Sequence, residues 1–82
     1  MFTEREQTLE RRRVMSNAVV IGKRIKKLRK KNKYSRDEFC KSVGISQSAL
    51  SMYETGQRIP RDEIKLKIAR CLNTSIESLF FT

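Results

Sequence analysis

The sequence predicts an all-α domain of five short helices with a helix-turn-helix at its centre. Three observations point there. Only one Pro and three Gly stand among 82 residues, and Lys, Arg, Glu, Leu, Ile and Ser are abundant, a composition that favours helices. Apolar residues recur at helical spacing, as with Ile21, Ile25 and Leu28 at i, i+4 and i+7. Ser and Gly punctuate the periodic runs at positions that suit helix starts and stops.

Residues 1–17 read as a flexible basic arm. They contain Arg11-Arg12-Arg13, and their apolar positions (Phe2, Leu9, Val14, Met15) share no clean face. The domain proper is expected over residues 18–82. Its first helix covers 18–33, with Asn17 as N-cap and a sheath of Lys23, Arg24, Lys26, Lys27, Lys30 and Lys31 around the apolar stripe. Ser35-Arg36-Asp37-Glu38 fits a capping box opening a second helix over about 36–43. Gly44 suits a left-handed stop. Ser46 caps a third helix over about 47–55, which Gly56 ends. A loop through Arg58 and Ile59 leads to Pro60, tolerated at or just before a first helical turn. Asp62 and Glu63 then suit the N-terminal dipole of a fourth helix with Ile64, Ile68 and Leu72 inside. Asn73-Thr74-Ser75 breaks it, and Ser75 caps a fifth helix holding Ile76, Leu79 and Phe80.

Hydrophobic residues at 38% and charged residues at 34% suit a compact soluble domain rather than a disordered chain. The net charge of +10 is uneven: residues 1–33 carry twelve Lys/Arg against three Glu, residues 34–82 seven against six acidic residues. Such asymmetry points to a polyanionic partner, nucleic acid or a membrane surface. The apolar stripe of the first helix is too narrow for a membrane and is needed for the core. No apolar run approaches spanning length and no secretory segment follows Met1, so a cytoplasmic protein is expected. Cys40 and Cys71 form no C-x-x-C pair and there is no His, so no metal site is expected. Both cysteines read as small residues of a reducing compartment, with a disulfide as the alternative. Without His, a paired-carboxylate constellation, a Gly-rich phosphate loop or a nucleophile beside a base, no catalytic residue, cofactor or small-molecule ligand is expected.

The informative stretch is Arg36 to Glu54. Two short helices flank Gly44, with only Ile45 and Ser46 before the second. So tight a turn forces a steep crossing. Crossing closely needs a small residue, which Cys40 supplies, and apolar anchors, which Phe39, Val43, Ile45, Leu50 and Tyr53 supply.

From Val20 to Phe80 the chain resembles the Xre/Cro family, the lambda-repressor-like helix-turn-helix domains of phage repressors and bacterial regulators. The resemblance rests on Ile21-Gly22-Lys23-Arg24-Ile25-Lys26-Lys27-Leu28-Arg29, Gly44-Ile45-Ser46-Gln47-Ser48-Ala49-Leu50-Ser51, Tyr53-Glu54-Thr55-Gly56 with Arg58 and Pro60, Ile68-Ala69 with Leu72, and Ser75-Ile76-Glu77-Ser78-Leu79-Phe80. It implies a transcriptional regulator, a repressor reading double-stranded DNA through its third helix in the major groove. Gln47 and Ser48 would meet base edges and Met52 a thymine methyl group. Ser35, Arg36, Ser46, Ser51 and Arg58 would meet phosphates. Arg29 and Glu54 match an interhelical ion pair of some relatives, the alternative being Arg29 on a phosphate. The family commonly pairs into dimers on palindromic operators, and Leu79, Phe80 and Phe81 are expected to leave an apolar dimer patch. An antitoxin-like protein-interaction module is the competing reading, but such a module would have no use for the polar readers Gln47 and Ser48.

Overall fold

Four helices of this chain begin where a side-chain oxygen receives a backbone N–H left without a partner. The Asn17 Oδ1 accepts from Val20, Ser35 Oγ from Glu38, Ser46 Oγ from Ala49 and Ser75 Oγ from Ser78. The computed structural model describes residues 16–81. Its helices are α1 (Ala18–Lys31), α2 (Arg36–Val43), α3 (Gln47–Thr55), α4 (Asp62–Cys71) and α5 (Ile76–Phe80). The fourth has Arg61 at its N-cap without a side-chain bond and relies on Asp62 and Glu63 in its first turn. No sheet forms among the described residues, and no helix of theirs is long and apolar enough to cross a membrane. The all-α class and the five helices that the sequence predicts are those of the structure.

Between α2 and α3 the chain turns on Gly44, whose φ of 82° lies in the left-handed region. Glycine adopts that conformation without the Cβ penalty of other residues, and the Gly44 N–H closes on the Cys40 carbonyl at 2.7 Å. The Cys40 thiol is buried and donates to the Ser46 carbonyl across the turn at 3.5 Å. Burial pushes its pKa up, which suppresses the reactive thiolate.

The core lies between α1, α2 and α3 on one side and α4 and α5 on the other. Ile21, Ile25, Phe39, Val43, Leu50, Ile68, Leu79 and Phe80 fill it. Here one expectation fails. Leu79 and Phe80 form no exposed patch, because the short α5 turns both side chains onto the core and both are fully buried. Phe81 is half-buried. The residues are too few for one face of α5 to be spared, since α5 is the element that closes the core.

Arg24 ties α1 to that closing helix. Its Nη1 donates to the carbonyls of Ser78 and Leu79 and to the Ser16 hydroxyl, at 3.4, 3.2 and 3.0 Å. The Ser16 N–H donates to the Phe80 carbonyl. Residues 1–15 of the expected arm, Arg11-Arg12-Arg13 among them, lie outside the described residues. Ser16 is hydrogen-bonded to the domain, and Asn17 caps α1.

The position of α3 is set by its contact with α1. A Cβ added to Gly22 would meet the carbonyl oxygens of Tyr53 and Glu54 at 2.5 Å, so only glycine lets α1 lie this close to the end of α3. Below this contact, Arg29 and Glu54 join the same two helices. Arg29 Nε donates to Glu54 Oε2 at 2.7 Å, and both side chains are buried. Arg29 Nη1 also donates to the Tyr34 carbonyl at 3.0 Å. Arg36 on α2 reaches the other carboxylate oxygen at 3.2 Å.

Two predictions concern stability. Gly22→Ala gains helix propensity of about 1 kcal/mol but must push two helices apart, so a net loss of about 2 kcal/mol is expected. Urea unfolding checks it, and an unchanged or raised midpoint would refute the close approach. The ion cluster predicts an asymmetry. Glu54→Leu strands Arg29 in the core and should cost about 4 kcal/mol. Arg29→Met leaves Glu54 still paired with Arg36 and should cost roughly half as much, with the double variant recovering part of the loss. Equal losses in the two single variants would remove Arg36 from the cluster.

Candidate nucleic-acid interface

With its inner face pressed on α1 and α2, α3 turns the other face to solvent. Leu50, Tyr53 and Glu54 are buried. Gln47, Ser48, Ser51 and Thr55 are exposed, and Met52 is half-buried. Residues 47 and 51, and 48 and 52, are one turn apart, so the exposed residues form a continuous polar row with one thioether in it. A row that contributes little to the core is free to contact something else.

The N-termini of α2 and α3 both bear a capping Ser. Ser35 Oγ and Ser46 Oγ serve as acceptors for their own helices, and each hydroxyl hydrogen remains available to an external acceptor. Free backbone N–H groups and the positive helix end favour an anion there. In α2 this is offset by Asp37 and Glu38 in the first turn. Glu38 closes the capping box onto the Ser35 N–H at 3.2 Å, and Asp37 pairs with Lys41 at 3.2 Å. Arg58 is exposed in the loop after α3.

Arg36 is not a free cation. Its Nη1 donates to Glu54 at 3.2 Å, and its Nη2 donates to the Gln47 carbonyl at 3.3 Å and to the Ser51 hydroxyl. One guanidinium from α2 thus holds three successive turns of α3. Of the expected phosphate ligands, Arg36 and Ser51 are bound to each other, whereas Ser35, Ser46 and Arg58 face outward from separate segments. Gln47 is lightly held: its Nε2 donates to Asp37 Oδ1 at 3.5 Å, at the long limit for such a bond. That leaves the amide able to exchange Asp37 for another partner.

Several of these features escape sequence reasoning. The Asp37–Gln47 contact and the triple attachment of Arg36 join residues ten to eighteen positions apart, and no local pattern marks them. Gly22 looks like a tolerated helix glycine, and no residue beside it in the sequence reveals that its space is filled by the backbone of α3. Lys65 lies beside the stripe of Ile64 and Ile68 and is buried, with its ammonium 3.3 Å from Asp62 and over the rings of Phe80 and Phe81. A long stem under a charged tip allows such burial.

Known proteins share this arrangement. Residues 25–79 match the family model described as helix-turn-helix. An uncharacterized HTH-type transcriptional regulator of Bacillus subtilis (strain 168), YazB, is 39% identical over 62 residues, which span 76% of this chain and 90% of the relative. Among solved structures, the P22 c2 repressor in complex with a synthetic operator superposes with a TM-score of 0.71 at 33% identity, covering 73% of this chain and 91% of that one. The master regulator for biofilm formation SinR, in complex with DNA, superposes at 0.68 with 33% identity, covering 72% and 95%. The chain belongs to the helix-turn-helix family and is a DNA-binding transcriptional regulator.

Proposed function

We propose that this regulator is a repressor that reads a palindromic operator as a homodimer, with α3 lying in the major groove. The observation that carries the reading is the exposed polar row of α3, unused by the core and mounted on a helix clamped from two sides. Gln47 and Ser48, at the start of that helix, contact base edges. The Gln47 amide offers a donor and an acceptor to adenine once it leaves Asp37. Met52 lies against a thymine methyl group. Ser35, Ser46 and Arg58 bind phosphates and set the register. The P22 c2 and SinR structures hold DNA, which supports a duplex DNA partner here.

Arg36 takes a different role from the phosphate ligand that its exposed neighbours suggest. Its bonds to Glu54, Gln47 and Ser51 make it the brace that sets the pitch of α3, and Ser51 serves that brace. The dimer surface also moves. With Leu79 and Phe80 inside the core, the second copy rests on the apolar hollow of about 230 Å³ formed by Leu66, Ile76 and Phe81 beside Asp62 and Lys65. Leu66 is 48% exposed there, and each copy would cover the other's hollow in a self-complementary contact.

Selection from a random duplex library tests the base contacts. One palindromic motif is expected, and Gln47→Ala should lose preference at one position in each half-site, about 1–3 kcal/mol of discrimination. Enrichment of no motif, with equal binding of all duplexes by both proteins, would overturn specific readout. A salt titration tests the brace. Loss of a phosphate ligand lowers the slope of log K against log salt by about 1. Arg36→Met should leave that slope unchanged while narrowing the gap between operator and random duplex. A slope reduced by one, with discrimination intact, would return Arg36 to the phosphates.

A further inference from the structure

We propose that Asp37 is a second base reader beside Gln47, its carboxylate accepting a hydrogen bond from the exocyclic amine of a cytosine next to the base that Gln47 reads. The inference rests on the reading of α3 given above and adds to it a residue of α2.

Asp37 is held in a defined place without being used up there. Arg36, the residue before it, is tied to the Gln47 carbonyl and to the Ser51 hydroxyl. The first turn of α2 therefore keeps a fixed position beside the first turn of α3. The capping box that shapes this turn is made by Ser35 and Glu38 and makes no use of Asp37. Lys41 takes the Asp37 Oδ2 at 3.2 Å, yet the Asp37 side chain is 60% exposed. Oδ1 accepts from the Gln47 Nε2 at 3.5 Å, the long limit for such a bond.

The occupant of Oδ1 indicates which ligand suits it. A glutamine Nε2 is an NH2 group on a planar carbon, and so are the N4 amine of cytosine and the N6 amine of adenine. Once the Gln47 amide turns to a base, Oδ1 is left beside it, open to another amine of the same shape. The 3.5 Å between the two groups matches the spacing of successive bases along one strand, about 3.4 Å.

Charge decides among the four bases. An ionised carboxylate accepts and cannot donate. Guanine and thymine present acceptors there, O6 and N7 or O4, and two acceptors face to face leave both unsatisfied. Adenine offers N6 with the acceptor N7 next to it, whereas cytosine offers N4 alone, which is why carboxylates pair with cytosine.

The competing role for Asp37 is support of α2, through the helix dipole and the pair with Lys41. Both effects are small for a residue so exposed. Against them, an anion beside bound DNA weakens attachment to every sequence. A matched amine offsets that repulsion on one sequence and leaves it in force on the others, so discrimination rises.

The test passes the full chain through selection from a random duplex library as wild type, Asp37→Ala, Gln47→Ala and Lys41→Met. The wild type is expected to select cytosine, in each half-site, next to the position that Gln47 governs. Asp37→Ala should lose that preference by about fivefold or more, keep the Gln47 position, and bind random duplex at least as well as wild type. Gln47→Ala and Lys41→Met should keep the cytosine. If Asp37→Ala alters the Gln47 position instead, Asp37 merely orients Gln47 and the proposal is overturned. An even shift across all duplexes, or loss of the cytosine in Lys41→Met, overturns it too, because the ion pair and the fold of α2 would then account for the effect. A motif that depends on Gln47 but has no cytosine beside that position overturns this proposal and leaves the α3 reading standing. Selection of no motif by the wild type overturns both.

Discussion

The carboxylate of Glu54 is the point on which the interface depends. It sits near the end of α3, almost wholly removed from water, and takes hydrogen bonds from Arg29 on α1 and Arg36 on α2. A buried carboxylate without partners would be strongly unfavourable, so the position of α3 that satisfies all three side chains is favoured over its neighbours. Three helices meet at one charge. The crossing angle of the helix-turn-helix is then held by electrostatics as well as by Phe39, Val43 and Leu50. This matters because apolar packing alone tolerates small slides, whereas a bidentate, buried ion contact loses its geometry within a fraction of an ångström. The base reading proposed for α3 would need that second kind of restraint, since base-edge hydrogen bonds share the same narrow distance range.

What can be read from the sequence divides along the distance over which residues act. The helix starts were legible because Asn17, Ser35, Ser46 and Ser75 act within three residues of themselves. Gly44 and Gly56 were legible for the same reason, each taking a positive φ at a helix end. The apolar stripes followed from periodicity. The fate of Leu79 and Phe80 did not, because a short apolar helix at a chain end reads equally well as a lid or as a dimer patch. Only the inward turn of α5, fixed in part by Arg24 on its last carbonyls, decides between them. At the candidate site, residue types such as Gln47 and Ser48 are suggestive, but their freedom is a tertiary property. Gln47 is nearly free and Ser51 is not, although both are small polar residues on one face. The difference lies in Arg36, eleven and fifteen positions away.

The distribution of charge has a comparable logic. Two groups of basic residues stand apart among the described residues. Arg24, Arg29, Arg36 and Lys65 are held by carbonyls, carboxylates or rings, and they organise the fold. The lysines of α1 are held by nothing within the described residues and contribute mainly to the external field. Arg29 and Arg36 each use several donor nitrogens and Arg24 turns one to three acceptors, while the exposed α1 row is lysine. This follows from the side chains themselves. The planar guanidinium satisfies several acceptors at fixed angles, and the ammonium is strongly hydrated and mobile. The net charge of +10 therefore overstates neither the stability of the fold nor its strain, since most of it stands in water.

Separation of these roles also explains how so small a domain can carry specificity. With 82 residues there is little stability to spare, and a reader embedded in the core could not change without unfolding the protein. Gln47, Ser48 and Met52 are set on the outer side of α3, where exchange of a side chain touches few neighbours. Their frame, by contrast, is closed by Gly22 and the Arg29–Glu54–Arg36 cluster, where exchange is costly. On the proposed reading of α3, specificity is placed on residues that are cheap to vary, and its accuracy on residues that are not. Arg36 stands at the boundary, exposed enough to face a ligand and bonded enough to steer α3. A change there reaches both functions at once, through the same guanidinium.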